Sequence, residues 1–203
     1  MKEKVVFTFG RLNPPTVGHQ KLVDTIKAEA NKQGADAKVF LSHTQNKKKD
    51  PLSYDDKIKY ATKSFGDIVT KSKSKTIIQV LQELEKDGYT DATLIVGSDR
   101  VKEFDRLLTK YNGKDYNFNS ITVKSAGDRD PDSDGIDGMS ASKMRAAAKA
   151  GDFEQFKSGL PDKLNDADAK YLFDTIDDTL VESSLTENKE DLYEEYLITY
   201  GLK

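Results

Sequence analysis

The residues best equipped for chemistry stand near the start of the chain, in the run Gly10-Arg11-Leu12-Asn13-Pro14-Pro15-Thr16-Val17-Gly18-His19. His19 offers a switchable, hydrogen-bonding cation. Arg11 carries a permanent charge on a planar fork suited to bidentate phosphate contact. Thr16 adds a hydroxyl, and Gly10 and Gly18 punctuate the turn. Gly18, having no side chain, lets a base or phosphate lie against the helix that follows. A second cluster, Ser140, Ser142 and Arg145, puts hydroxyls and unpaired N–H groups at a helix start, with a guanidinium one turn on. A third comprises Lys47, Lys48 and Lys49, just before Asp50-Pro51. Lys49, abutting the next helix start, is the favoured phosphate ligand of the three. His43, on the same segment, reads as structural or substrate-adjacent. All three clusters suit a ligand rich in phosphate.

These groups need a scaffold. Val5-Val6-Phe7-Thr8-Phe9 is a short apolar run that reads as a strand, and a helix follows from about Val17 to Gln33, stopped by Gly34. Ala37 to Ser42 reads as a second strand. Ser53 is a helix N-cap, with Asp56 at the third helical position, and that helix ends at Gly66. Ile68-Val69 is a short third strand, and Lys71-Ser72-Lys73-Ser74-Lys75 a solvated turn. Thr76 to Asp87 has helical spacing, Ala92 to Val96 is a buried strand, Arg100 to Tyr111 is helical and Ile121-Thr122-Val123 is a strand. Alternation at this spacing predicts a parallel α/β sheet, whose ligands bind beyond the carboxyl ends of its strands. A helix over 142–150 follows an acidic loop at 125–138. Beyond Gly151 only helical patterns remain, over 153–158, 167–180 and 187–200. Residues 1–150 therefore read as a catalytic domain and 151–203 as a helical extension.

The run Thr16-Val17-Gly18-His19 resembles the HxGH signature of the nucleotidylyltransferase superfamily. It is similar to the TxGH variant of pantetheine-phosphate adenylyltransferases, inside a Gly-Arg-x-x-x-Pro frame closer to archaeal-type nicotinamide-mononucleotide adenylyltransferases. Met139-Ser140-Ala141-Ser142-Lys143-Met144-Arg145 resembles the family's second signature, ISSTxxR, with Met139 and Ala141 where the family prefers Ile and Ser. Val96-Gly97-Ser98-Asp99-Arg100 resembles the GxD that closes the fourth strand. The three fragments fall in family order across residues 4–150, and the chain looks like short phage-encoded members.

The resemblance implies a Rossmann-like sheet with helices on both faces and transfer of a nucleotidyl group from a triphosphate with release of pyrophosphate. It implies His19 at the α-phosphate, and Thr16 and Lys49 orienting an attacking phosphate. Ser140, Ser142 and Arg145 would hold the departing pyrophosphate, and Asp99 would lie near the ribose or the second substrate. His19, Lys49 and Arg145 are the catalytic candidates. Gly10, Arg11, Thr16, Gly18, Gly97 and Asp99 join the two serines in nucleotide binding, while Thr16, His43 and Lys49 face the acceptor. Mg²⁺ is expected to arrive with the nucleotide, since it favours phosphate oxygens and retained waters over a protein cage. ATP with nicotinamide mononucleotide is the first expectation, CTP with a phosphorylated alcohol the second, and a non-catalytic nucleotide-binding or assembly protein of the same fold the third.

Composition narrows the alternatives. The 203 residues are 33% charged and 36% hydrophobic, with a net charge of −3 and no cysteine. Disulfides, thiolate nucleophiles and zinc–thiolate sites are excluded, and no general nucleic-acid surface is expected. No run approaches the roughly 18 apolar residues of a membrane span. Met1-Lys2-Glu3-Lys4 leads straight into a strand, so a cytoplasmic protein is expected, in the host cytoplasm if phage-encoded. Asp130-Pro131-Asp132-Ser133-Asp134-Gly135 imitates a calcium loop, but its twelfth position is Ala141, where a bidentate glutamate is required. A KMSKS-like aminoacyl-tRNA synthetase would need a tRNA-binding domain for which the chain has no room. Leu192, Tyr193, Tyr196 and Leu197 form an apolar stripe, expected to dock on the chain itself or, alternatively, in a homo-oligomer contact.

Overall fold

A computed structural model of the chain describes residues 3–127 and 140–180. Five strands, β1 (Lys4–Gly10), β2 (Asp36–Leu41), β3 (Val69–Thr70), β4 (Asp91–Val96) and β5 (Ser120–Ser125), form one sheet in the order β3-β2-β1-β4-β5. Every adjacent pair is parallel. The first strand is therefore central, and its carboxyl end opens between β2 and β4. The helices are α1 (Val17–Gln33), α2 (Tyr54–Phe65), α3 (Ile77–Lys86), α4 (Val101–Tyr111), α5 (Ala141–Lys149) and α6 (Phe153–Ser158). A seventh, α7, runs over 166–180, and a 3₁₀ turn covers Ser98–Arg100.

Alternation along β1 explains the layers. Successive side chains of a strand point to opposite faces. Val5 and Phe7 join Ile77, Val80, Leu81 and Leu84 of α3 and Leu108 of α4. Val6 turns the other way and joins Val23, Ile26 and Ala30 of α1 with Ala61 and Phe65 of α2. Both faces of the sheet are thus covered. A third cluster lies outside the sheet: Leu52 just before α2, Tyr60 of α2, Met144, Ala147 and Ala148 of α5, Phe156 of α6, and Leu172, Phe173 and Ile176 of α7. Apolar residues after Gly151 share this core with α2 and α5.

Local signals account for the boundaries. Gly34 closes α1 at φ 63° in the left-handed region, which glycine enters without a Cβ penalty. The Ser53 side chain accepts from Asp56 N at the start of α2, and Ser140 accepts from Lys143 N at the start of α5. The third strand is Val69–Thr70 rather than Ile68-Val69: its register pairs Val69 and Thr70 with Val39 and Phe40, and Ile68 contributes only its carbonyl, which accepts from Val39 N. The acidic loop residues 128–138, Met139 and the stripe over 187–200 lie outside the described residues.

Candidate active site

Three chain segments meet beyond the carboxyl ends of β1 and β2. The first is the turn from Gly10 to Thr16. Leu12 takes φ 45°, uncommon for a side-chain-bearing residue, with its side chain buried in the core; a conformation of this kind costs about 1–3 kcal/mol and persists where surrounding structure dictates it. The Asn13–Pro14 peptide is cis. Thr16 is buried and caps α1, which brings His19 back beside it. Nδ1 of His19 lies 3.0 Å from Thr16 N and 3.0 Å from Thr16 Oγ1. An amide N–H can only donate, so Nδ1 accepts and the proton of the neutral ring sits on Nε2. The ring is partly buried.

The second segment is α5. Arg145 Nη1 donates to the Asn13 carbonyl at 2.8 Å, and Nη2 donates to Ser142 Oγ at 3.1 Å. Burial pushes the Arg145 guanidinium down from its ordinary value; the nearby charge of Arg11 adds to the fall, and Asp50 opposes it. The group stays charged, and its repulsion from Arg11 is what an incoming anion would relieve. Arg11 is exposed, Gly10 and Gly18 are partly exposed, and Ser142 is exposed on the first turn of α5.

The third segment joins β2 to α2. Asn46 and Asp50 bridge it into a tight turn, and Lys47, Lys48 and Lys49 stand exposed at its tip. Asp50 at the turn's base is buried. Its carboxylate accepts from Asn13 Nδ2, from Thr44 Oγ1 and from Lys57 Nζ, the last at 3.1 Å. Lys57 Nζ also donates to the Thr44 carbonyl at 2.6 Å. The Asn13 side chain completes the network by accepting from Leu52 N at 3.2 Å and donating to the Leu52 carbonyl. Burial lowers the Lys57 ammonium from its ordinary value, and the charge and hydrogen bond of Asp50 counter that fall.

The predicted residues fall into two groups. Thr16, His19, Arg11 and Arg145 are gathered on the β1 turn, with Ser142 in contact and Ser140 one cap away. His43 has contacts of its own: its ring stacks on Tyr54 at 3.7 Å, and its Nε2 donates to the Ser72 carbonyl at 2.8 Å. Gly97 and Asp99 lie beyond β4. A Cβ on Gly97 would stand 2.7 Å from Asp99 Oδ1, so the bare glycine lets that carboxylate fold back over the strand end. Among the described residues no three His, Asp or Glu side chains cluster as metal ligands, and no helix is long and apolar enough to cross a membrane.

No protein-family profile matches the chain, and no curated protein does. Solved structures do match. One is a crystal structure described as "a Putative Nicotinate-nucleotide Adenylyltransferase from Vibrio parahaemolyticus", with a TM-score of 0.53 and 15% identity over 84% of this chain and 99% of that one. The chain has the fold of that adenylyltransferase. An α/β sheet of Rossmann-like type with helices on both faces is therefore the architecture, as the three sequence fragments imply.

Within this adenylyltransferase-like fold the sequence left three participants unnoticed: Asn13, Asp50 and Lys57. One signal was present. Lys57 lies three and four residues before Tyr60 and Ala61, on the buried face of α2. A lysine on an apolar helix face demands a buried counter-charge.

Proposed function

We propose that the chain is a nucleotidylyltransferase that moves AMP from ATP onto a phosphate-bearing small molecule such as nicotinamide mononucleotide. The observation that carries this reading is the meeting of His19, locked by Thr16, with Arg145, gripping the Asn13 carbonyl, on one turn at the centre of the sheet. In the reaction an acceptor phosphate oxygen attacks the α-phosphorus of the triphosphate in line. A new P–O bond forms as the bond to the β-phosphate bridging oxygen breaks, and pyrophosphate leaves. His19 contacts the α-phosphate through Nε2 and stabilises the charge developing there. Thr16 and Lys49 orient the attacking phosphate, with His43 bordering the acceptor. Ser140, Ser142 and Arg145 hold the β- and γ-phosphates as they depart. Arg11 adds charge, Gly10 and Gly18 allow close approach, and Gly97 with Asp99 receives the ribose. Mg²⁺ enters as part of the nucleotide substrate, held by phosphate oxygens and water. Chemistry of this kind draws on positioning and electrostatics rather than a covalent intermediate.

The test is pyrophosphate release from a panel of triphosphates and phosphorylated acceptors. ATP with nicotinamide mononucleotide is expected to give the highest turnover. Turnover with CTP and a phosphorylated alcohol alone would move the assignment to cytidylyl transfer. Nucleotide binding without pyrophosphate release from any pair would overturn catalysis.

A further inference from the structure

Behind the residues given roles above lie two charged groups that no step uses. Lys57 is fully buried, and Asp50 is 2% exposed. As a device for stability alone the pair is unneeded, since well-packed apolar side chains generally serve a core as well as a buried ion pair does. What distinguishes it is where its bonds lead. Lys57 fixes Asp50, Asp50 fixes the Asn13 side chain, and the Asn13 carbonyl is the anchor for Arg145. One chain of contacts runs from the interior of α2 to the guanidinium on α5. The same carboxylate is also a buried counter-charge. Burial opposes the charge on both Lys57 and Arg145, Arg11 repels each of them, and Asp50 steadies each. Among the described residues, Asp50 is the carboxylate that steadies Lys57 and Arg145, and the three cations together leave two positive charges in surplus there.

Given nucleotidyl transfer at this site, we propose that Asp50 and Lys57 are positioning residues: the pair fixes the turn that Arg145 grips and sets the charge surplus that receives a triphosphate. Removing the ammonium cuts the surplus, and removing the carboxylate raises it while freeing the turn. The two substitutions should therefore move anion affinity in opposite directions. A pair that merely held the fold together would weaken it in both.

The experiment uses the full chain with Lys57→Met, Asp50→Asn and the double variant, titrated calorimetrically with inorganic tripolyphosphate alongside thermal melting. Lys57→Met should bind about tenfold more weakly, the effect of one unit charge at partly screened range. Asp50→Asn should bind no worse than the wild type, and the double variant, neutral at both positions, should return to within about threefold of it. In pyrophosphate release, Asp50→Asn should lower kcat about tenfold with KM for the triphosphate unchanged or reduced, because charge is gained and geometry lost. Equal tripolyphosphate affinity in all four proteins, or equal weakening by both single substitutions, overturns the proposal. If Lys57→Met does not fold, Asp50→Asn and the double variant still decide it: weaker binding by Asp50→Asn overturns it. A wild type that binds tripolyphosphate but releases no pyrophosphate defeats the proposed function, while the affinity pattern still judges the pair.

Discussion

The carbonyl of Gly159 accepts a hydrogen bond from the backbone N–H of Val17 at 3.0 Å. The turn after α6 therefore completes the start of α1, the helix that carries His19. Val17 itself packs against the cluster formed by α5, α6 and α7. Helical residues far along the chain are thus part of what holds the turn before His19 in place.

Phe156 is the residue through which to test this coupling. It is fully buried and meets the Phe173 ring edge-on at 5.4 Å. Phe156→Ala should cost about 3–5 kcal/mol in urea unfolding, the range for deleting a buried aromatic. It should also weaken triphosphate binding in the fraction that stays folded, as the turn at Gly159 loosens. Full affinity in a destabilised but folded variant would separate the helical segment from the site.

His19→Ala should lower turnover by about 10²–10³, the scale of losing one preorganised charge-stabilising donor. Affinity for the triphosphate should change far less, because the contact gains strength in the transition state. Steady-state pyrophosphate release and calorimetry give the two quantities. Near-normal turnover would remove His19 from the reaction.

Gly97→Ala separates backbone from side-chain effects. Gly97 has φ −62° and ψ 151°, which any residue adopts, so the added methyl meets only Asp99 Oδ1. Asp99 is exposed and must swing aside, which should change stability by less than about 1 kcal/mol. Nucleotide affinity should fall, and by as much as it falls in Asp99→Ala. Combining the two substitutions should then add nothing further. Additive losses would show that Asp99 is not what Gly97 accommodates.

Alkaline stability should report on two buried phenols. Burial pushes Tyr89 and Tyr116 up to about 12, and for Tyr89 the bond it donates to Asp36 Oδ2 adds to the rise. In the unfolded chain both titrate near about 10. Between those values the unfolded state sheds protons that the native state keeps. Stability is therefore fully held below about pH 10 and lost as pH rises toward 12, by at most about 1.4 kcal/mol per pH unit for each phenol. Urea titrations across that range should show the decline, and Tyr89→Phe should make it shallower. An unaltered slope in Tyr89→Phe would contradict the assignment.

The elements of the sheet were legible because each is specified locally. Ser53 caps the helix it was expected to cap, and Gly34 and Gly66 stop the helices they were expected to stop. The turn bearing His19 was legible for the same reason, since its residues are consecutive. Asp50 and Lys57 were not. Their meaning depends on Asn13 arriving from the turn after β1, 37 residues before Asp50 in the chain, which no local pattern encodes. Neighbours in sequence part company here: the turn bridged by Asn46 and Asp50 holds Lys49 at its exposed tip while Asp50 itself turns inward.

The order of strands has a consequence for synthesis on the ribosome. The first strand made is the middle strand of the finished sheet, and its two neighbours are made at different times. β1 finds β2 soon after both have emerged, but its other edge stays open until β4 is translated. The anchor for Arg145 then waits still longer, for α5. A nascent chain therefore holds the histidine turn well before it holds the guanidinium that grips it, and the proposed phosphate site is completed only once α5 has been made.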